Sequence, residues 1–103
     1  MLPIGSVVTL VNGSQKLMIL NIGQIIKQNE KDVYFDYSAA PYPVGLDTQE
    51  QVYYFNRDNV SEVVFQGFQD EDGKHFGDLY EQWIEETKDE IQRGKVKNDT
   101  DIF

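Results

Sequence analysis

Residues 36–45 read Asp-Tyr-Ser-Ala-Ala-Pro-Tyr-Pro-Val-Gly, and no other stretch of the chain constrains its backbone as strongly. Proline fixes φ, lacks a backbone donor and biases the preceding residue toward extended geometry. Pro41 and Pro43 therefore keep this stretch out of helix, and Gly45 can supply the left-handed conformation of a tight turn. We predict that residues 36–45 form a rigid loop that connects two β-strands and presents aromatic rings.

This Pro/Tyr loop has two interpretations. In the first, it is a structural turn whose tyrosines cover the edge of the core. In the second, it is a recognition surface, because rigid tyrosines bury a large area at little entropic cost. If the loop binds a protein, the contact residues that we expect are Tyr37, Pro41, Tyr42 and Pro43.

Two strands are predicted upstream of the loop, at residues 6–11 and 16–22, both rich in apolar and β-branched side chains. Between them lies Asn12-Gly13, the strongest short hairpin signal, because both residues tolerate the positive φ of a type I′ turn. A β-hairpin is therefore expected here. Gly23 marks a bend, after which residues 24–27 continue the second strand.

Three further strands are predicted at residues 32–37, 51–55 and 61–68, with a polar turn at 29–31 and a turn or single 3₁₀ turn at 56–59. Short strands separated by turn signals are typical of small all-β units. Five of them predict a small antiparallel β-barrel or a strongly bent sheet.

An amphipathic helix is predicted after the last strand, so the fold class is α+β. The apolar residues then recur with the 3.6-residue period of a helix stripe. They are Phe76, Leu79, Tyr80, Trp83, Ile84 and Ile91. We predict a helix over residues 76–93, with Gly94 as its stop. Residues 1–94 then form a single β-rich domain with its C-terminal helix, and residues 95–103 form a flexible tail.

The composition is that of one small globular domain with an acidic surface. The chain has 103 residues, nine basic against eighteen acidic side chains, and a net charge of −9. This charge argues against binding to phosphate backbones and to anionic membranes, both of which attract basic surfaces. The chain contains no cysteine, and its N-terminus lacks the pattern of a signal peptide, so we expect a cytoplasmic protein.

Catalytic and metal-binding motifs are not recognisable in the sequence. His75 is the only histidine, and no serine lies in a Gly-x-Ser-x-Gly elbow. Residues 70–73 (Asp-Glu-Asp-Gly) place the glycine at the fourth position, whereas a calcium loop needs it at the sixth, and no preceding helix is apparent. They suit a helix start instead. We therefore expect a non-enzymatic protein with no cofactor and no metal.

Two clusters of side chains resemble binding surfaces but have simpler explanations. One is an aromatic set that suggests a nucleic-acid platform, although core packing explains it better because few basic residues lie among them. Its members are Tyr53, Tyr54, Phe55, Phe65 and Phe68. The other cluster is the helical carboxylates Glu81, Glu85 and Glu86, which we place on the water-facing side of the helix. A solvated face is the simpler explanation, and a docking surface for a basic protein is the alternative.

The chain also resembles a known family over roughly its first seventy residues. The segments that carry the resemblance are residues 2–8 (Leu-Pro-Ile-Gly-Ser-Val-Val), 16–19 (Lys-Leu-Met-Ile), 36–37 with 41–45 (Pro-Tyr-Pro-Val-Gly), 55–56, and 60–68 (Val-Ser-Glu-Val-Val-Phe-Gln-Gly-Phe). In these it is similar to the domain-of-unknown-function family 4176 of Gram-positive bacteria.

The resemblance implies a genetic context rather than a mechanism. Proteins of this family are typically encoded in type VII secretion loci, near LXG-type antibacterial toxins. We therefore expect a cytoplasmic accessory or chaperone-like adaptor that binds such a toxin or another secretion-locus protein. The alternative is an immunity protein whose acidic surface occludes the active site of a toxin. The expected partner is a protein, not a nucleic acid or a membrane, and an exposed edge strand would suit either strand addition or a dimer.

Overall fold

The protein, as a computed structural model, is described over residues 1–46 and 52–96. Within these ranges the chain forms six β-strands, one turn of 3₁₀ helix and one α-helix. The strands are β1 (Val7–Leu10), β2 (Leu17–Gln28), β3 (Lys31–Pro41), β4 (Tyr53–Phe55), β5 (Val60–Phe65) and β6 (Gln92–Arg93). The 3₁₀ turn is Arg57–Asn59, and the helix α1 is Glu71–Thr87.

The strands form one sheet in the order β4-β3-β2-β1-β5, and β6 runs parallel beside β3. Its centre is the long hairpin of β2 and β3, which pairs from Leu17 with Pro41 to Gln28 with Lys31. The two residues that join these strands, Asn29 and Glu30, have φ values of 54° and 67°. Both therefore lie in the left-handed region that a two-residue type I′ hairpin turn requires.

The predicted hairpin between the first two strands is confirmed, because β1 pairs antiparallel with β2. Its turn differs from the expected type I′ turn, since Asn12 has a φ of 66° but Gly13 is not left-handed. The connection between the two strands is also longer than predicted, because β1 ends at Leu10 and β2 begins at Leu17. The loop closes instead through the Gly13 amide, which donates to the Leu10 carbonyl at 3.0 Å.

The sheet is bent but open, so the bent-sheet alternative is confirmed and the β-barrel alternative is wrong. Register shifts between Ile19 and Asn21 in the β2–β3 pair, and at two places between β1 and β5, bend the strands. Strands β4 and β5 lie at opposite ends of the strand order and do not pair over the described residues. β4 is three residues long, and the 3₁₀ turn begins two residues after its end.

The apolar core lies on one face of the bent sheet and is drawn from four strands. Its buried members are Val8, Leu10, Leu17, Ile19, Tyr37, Ala39 and Phe55. Burial of apolar surface at about 25 cal/mol per Å² makes this cluster the main source of stability. The predicted core role of Phe55 is therefore confirmed.

The helix begins and ends earlier than the predicted range of 76–93. Asp70 is its N-cap, and its side chain accepts a hydrogen bond from the Gly73 amide at 3.0 Å. At the other end, the Thr87 hydroxyl donates to the Trp83 carbonyl at 2.8 Å, and the amide of Ile91 donates to the Thr87 carbonyl. The polar gap that Thr87 makes in the apolar stripe is thus where the helix ends.

Residues 92–96 return to the sheet instead of continuing the helix. Gly94 is not a helix stop, because α1 has already ended at Thr87. A Cβ at Gly94 would lie 2.4 Å from Cε2 of Phe35, so the chain passes this ring only as glycine. Lys95, placed by prediction in the tail, exchanges hydrogen bonds with the Gln28 side chain, and Val96 packs against the core. Residues 97–103 of the predicted tail lie outside the described residues, as does Gln51 of the predicted strand 51–55.

Candidate functional site

The first half of the predicted Pro/Tyr loop is strand, not loop. β3 continues to Pro41, and residues 36–40 are buried between β2 and β4. Tyr37 is 1% exposed, and its hydroxyl accepts a hydrogen bond from the Leu2 amide at 3.0 Å. Burial raises the pKa of Tyr37. Tyr37 is therefore a core residue, and it is not accessible to a partner of the folded protein.

The second half of the loop is the expected turn. Gly45 has a φ of 72°, as predicted, and its amide donates to the Pro41 carbonyl at 2.7 Å. The Tyr42 amide donates to the Lys16 carbonyl at 2.8 Å, which ties the turn to the β1–β2 loop. The side chains of Tyr42, Pro43 and Val44 are exposed. The turn is thus anchored by its backbone and leaves Tyr42 available for contact.

The three predicted carboxylates of α1 have different surroundings. Glu81 accepts two hydrogen bonds from the Arg57 guanidinium, one of them from Nη1 at 3.1 Å, and therefore supports the fold. This ion pair lowers the pKa of Glu81. Glu85 pairs with Lys88 at 2.9 Å, and Glu86 accepts from Gln82 at 3.3 Å. Glu85 and Glu86 remain exposed.

The structure does not bring the predicted contact residues together. The turn at Tyr42 follows the end of β3, whereas α1 packs near Tyr34 and Asp36 on the same strand. Six residues separate Pro41 from Phe35, which corresponds to about 20 Å along a strand. The turn and the helical carboxylates are therefore two separate surfaces.

A buried ion cluster around Asp36, which the sequence analysis did not predict, joins α1 to the sheet. The Asp36 side chain is 0% exposed, and its carboxylate accepts from the Tyr80 hydroxyl at 2.8 Å. It also accepts from the amide and Nε of Arg57, at 2.9 and 3.2 Å, and from Nη1 of Arg93. We call Asp36, Arg57, Tyr80, Glu81 and Arg93 the Asp36 cluster.

Asn56 completes the surroundings of this cluster. Its side-chain oxygen accepts from the Asp36 amide at 3.0 Å, and its side-chain nitrogen donates to the Gly94 carbonyl at 2.9 Å. The 3₁₀ turn and the segment after α1 are thereby tied to the same point on β3. Buried polar groups are costly unless they are paired, and here each has a partner.

The charges of the Asp36 cluster balance. Burial on its own would raise the pKa of Asp36, but hydrogen bonds from Arg57 and Tyr80, together with the Arg93 charge, bring it below the ordinary value of 3.8. The pKa of Tyr80 is raised by burial and by its bond to Asp36. The two carboxylates of Asp36 and Glu81 thus face two guanidinium groups. An arrangement with every charge already paired stabilises the fold and offers no free acid or base.

One sequence signal could have identified this cluster. Arg57 and Arg93 are the two arginines of the chain, and both bond to Asp36. Asp36 itself lies between apolar and aromatic residues of a strand, where an unpaired carboxylate is unfavourable. A lone acid in such a strand calls for a buried cationic partner, and arginine is the residue best suited to that role.

Apolar side chains are exposed along β5, the outer strand of the sheet. Phe65 is 60% exposed and Phe68 is 81% exposed, so the predicted core role of these two rings is wrong. Val63 and Val64 are also exposed. We call these four residues the β5 surface. β5 pairs with β1 on one side, and its other edge has no strand partner within residues 1–46 and 52–96.

The neighbouring strands extend this surface inward. Cross-strand partners share one face of a sheet, and Phe65 lies opposite Val7, which lies opposite Met18. Just beyond β5, Gly67 packs directly on the N-terminal segment, where a Cβ would lie 2.5 Å from the Ile4 carbonyl oxygen. Phe65 is therefore the outer end of an apolar row that crosses three strands.

A second apolar surface lies between α1 and β2. It is a groove of about 270 Å³ lined by Gly23 and Ile25 of β2 and by Phe76, Leu79, Tyr80 and Trp83 of α1. We call it the α1–β2 groove. Of the predicted apolar stripe of the helix, Tyr80 is buried against the sheet, whereas Phe76 and Leu79 remain half exposed. The stripe thus buries one side and leaves the other uncovered.

The described part of the chain contains neither a cluster of metal ligands nor a membrane-spanning helix. No group of three or more histidine, aspartate and glutamate side chains there is placed to hold a metal ion. No helix in residues 1–46 and 52–96 is long and apolar enough to cross a membrane.

The fold and its surfaces define a small α+β domain with an open bent sheet, one docked helix and two exposed apolar surfaces. The family model for a domain of unknown function, DUF4176, matches residues 1–76, and the chain belongs to this family. This match confirms the resemblance and covers strands β1 to β5 and the start of α1. No curated protein matches the chain, and no solved structure matches it.

Proposed function

We propose that the protein is a non-enzymatic, cytoplasmic accessory protein that acts as a chaperone-like adaptor. Its partner is an LXG-type toxin exported by a type VII secretion system, or another protein of the same secretion locus. The observation that carries this proposal is the β5 surface, where apolar side chains lie beside an unpaired strand edge. The genetic context comes from the family resemblance.

The β5 edge contains few of the residues that usually protect an edge strand. Natural edges are blocked by lysine, proline or inward-pointing charges, because an open edge pairs with other chains. In Val60–Phe65 the one charged residue is Glu62, and proline and lysine do not occur. Such an edge suits a partner that adds a strand, with its side chains covering Phe65 and Phe68.

Co-expression with the toxin encoded beside it tests the adaptor. We expect a complex that survives purification, and we expect the double variant F65S/F68S to lose it. The variant V11S, which removes an exposed apolar side chain from the β1–β2 loop, serves as the matched control and should retain the complex. The proposal fails if no locus-encoded protein co-purifies and if export of the toxin is unchanged after deletion of this protein.

The turn at Tyr42 is a further contact candidate that the same experiment resolves. Its ring is 47% exposed on a turn that is anchored by backbone hydrogen bonds. Loss of the complex in Y42S, but not in F65S/F68S, would move the interface from β5 to this turn.

Immunity is the second candidate function, and the acidic outer face of α1 favours it. Glu85 and Glu86 are exposed there, and a basic toxin site would attract them. An immunity protein rescues cells from toxin made inside them, whereas an export adaptor need not. Charge reversal in E85K/E86K should abolish rescue if the acidic face occludes the toxin. Glu81 is left out of this variant because it holds Arg57.

A further inference from the structure

We infer that the α1–β2 groove is a second docking site, and that it takes a basic amphipathic helix of the partner protein. The helix would insert apolar side chains into the groove and place lysine or arginine beside its acidic rim. The inference rests on the proposed function, because it names a surface and a partner chemistry for the same adaptor. It uses residues that do not belong to the β5 surface.

The floor of the groove is fixed before any partner arrives. Tyr80 lies directly over Gly23, where a Cβ would be 2.5 Å from its ring, and its hydroxyl is bonded to buried Asp36. Trp83 stacks on Tyr80 with ring centres 6.0 Å apart and meets Tyr34 edge-on at 5.4 Å. A surface that is already ordered binds without the entropic cost of ordering it.

The walls of the groove remain uncovered. Ile25 is 53% exposed, Phe76 49% and Leu79 48%. Along α1, the wall residues Phe76, Leu79 and Trp83 are spaced by three and four, which forms an apolar ridge on the helix surface. Ridges of this spacing pack against the apolar stripe of another helix. The volume of about 270 Å³ is below the roughly 300–1,000 Å³ typical of small-molecule sites.

The charge around the groove selects the partner. Asp72, Leu79 and Glu86 are seven residues apart, which is close to two turns, so they lie in one row along α1. Two carboxylates thus flank the apolar wall at its two ends. On the β2 side, Lys27 is already paired with Asp32 at 3.0 Å. The rim is therefore acidic, and it favours an apolar helix that carries basic side chains.

The same charge disfavours a second copy of this chain as the occupant. Each copy has a net charge of −9 and brings the same acidic row to the contact. Like charges brought together across an interface cost free energy. A different protein that carries basic side chains does not incur this repulsion.

Trp83 provides a direct test, because it is the one tryptophan of the chain and lines the groove. The probe is a tryptophan-free peptide of leucine and lysine, about 18 residues long, so that it can form a stable helix with one apolar face. We expect saturable binding with a shift of Trp83 emission to shorter wavelength, and weaker binding at high salt. The comparison peptides are the same composition in strict alternation and a leucine–glutamate helix, and both should bind at least about tenfold more weakly.

Matched variants locate the binding. Phe76→Ser should lower the affinity for the leucine–lysine peptide about tenfold, because an apolar contact is lost. Phe68→Ser makes the same chemical change on the β5 surface and should leave the affinity unchanged. The double variant D72N/E86Q alters exposed side chains alone and should make the affinity for the peptide depend less on salt concentration. Equal affinity of all four proteins, or an unchanged Trp83 emission, overturns the inference.

The partner complex separates this inference from the proposed function. If F65S/F68S breaks the complex while F76S and D72N/E86Q leave it intact, the adaptor stands and the groove is not its docking site. If the peptide binds as expected but no locus-encoded protein does, the groove stands and the adaptor fails. A Trp83 emission that shifts with protein concentration alone would assign the groove to a second copy and overturn the inference.

Discussion

The Asp36 cluster buries a charged side chain, whereas the β5 surface of the same sheet exposes apolar ones. In the cluster, a carboxylate is completely buried and every polar group around it has a partner. On the β5 surface, apolar side chains face water and the strand edge is unpaired. Burial of charge and exposure of apolar area both cost free energy, but the first cost is offset inside the molecule. The second is offset when another chain covers the surface, which is why we assign binding to the β5 surface and stability to the cluster.

The cluster also explains how an acidic helix stays attached to the sheet. Asp36 on β3 contacts Tyr80 of α1, Arg57 of the 3₁₀ turn and Arg93 of β6. One buried carboxylate therefore holds three segments that are far apart in the chain. This arrangement lets α1 keep two residues of its apolar stripe, Phe76 and Leu79, exposed for other contacts.

The largest expected effect comes from breaking the cluster at its centre. Asp36→Ala leaves the Arg93 guanidinium and the Tyr80 hydroxyl without their carboxylate acceptor and removes one of the two carboxylate partners of Arg57, so we expect a loss of about 3–5 kcal/mol. Denaturant unfolding measures it. Asp32→Ala is the matched control on the same strand, because Asp32 forms an exposed pair with Lys27, and it should cost less than about 1 kcal/mol. Equal losses in both variants would contradict the structural role of the cluster.

The next effect tests how closely α1 approaches β2. Gly23 has a φ of 70°, and a Cβ there would lie 2.5 Å from the Tyr80 ring. Gly23→Ala should therefore displace Tyr80 from Asp36 and cost about 2–4 kcal/mol, measured by thermal or denaturant unfolding. Gly73→Ala, in the first turn of α1, meets its nearest atom at 3.7 Å and should be neutral or stabilise by up to about 1 kcal/mol. A neutral Gly23→Ala would mean that the helix does not depend on this contact.

The sequence predicts the sheet better than it predicts the sites, for a physical reason. Hairpins and turns follow from local rules, so the β1–β2 pairing and the left-handed Gly45 could be predicted. Asp36 and Arg93 are 57 residues apart, and their contact depends on how the whole chain folds. The predicted end of α1 is too late, because the apolar period of the sequence continues to Ile91. In the structure, Gln92 and Arg93 pair with β3 instead of extending the helix.

The candidate surfaces show the same limit. Phe65 and Phe68 have the same chemistry as the buried Phe55, and their position at the outer edge alone leaves them exposed. Tyr37 and Tyr42 are the same type of residue, yet Tyr37 lies in the core and Tyr42 lies on a turn. Side-chain type thus indicates aromatic contact, and tertiary structure decides whether the contact is internal.

A pH titration sharpens the comparison when two proteins that differ only at Asp36 are compared, because the other carboxylates titrate in both. The pKa of Asp36 is lowered in the folded state, so its contribution to stability is fully present above the ordinary value of 3.8. That contribution is lost as the pH falls through the lower folded-state value. We expect the difference in free energy of unfolding between the wild-type protein and Asp36→Asn to be constant from neutral pH to about pH 5 and to shrink below about pH 4. A difference that does not change with pH would show that the two proteins do not differ through the Asp36 charge.

The smallest expected effect on stability comes from the β5 surface, and its smallness is the point of the measurement. Phe65 and Phe68 are mostly in contact with water, so F65S/F68S removes little buried area and should change the free energy of unfolding by less than about 1 kcal/mol. The same variant should abolish the partner complex, whereas Asp36→Ala should weaken it only as far as it unfolds the protein. Binding measured without denaturant, at a temperature where both variants remain folded, distinguishes these effects. A large loss of stability in F65S/F68S would mean that the two rings are part of the fold, and the division between a stabilising cluster and a binding edge would fail.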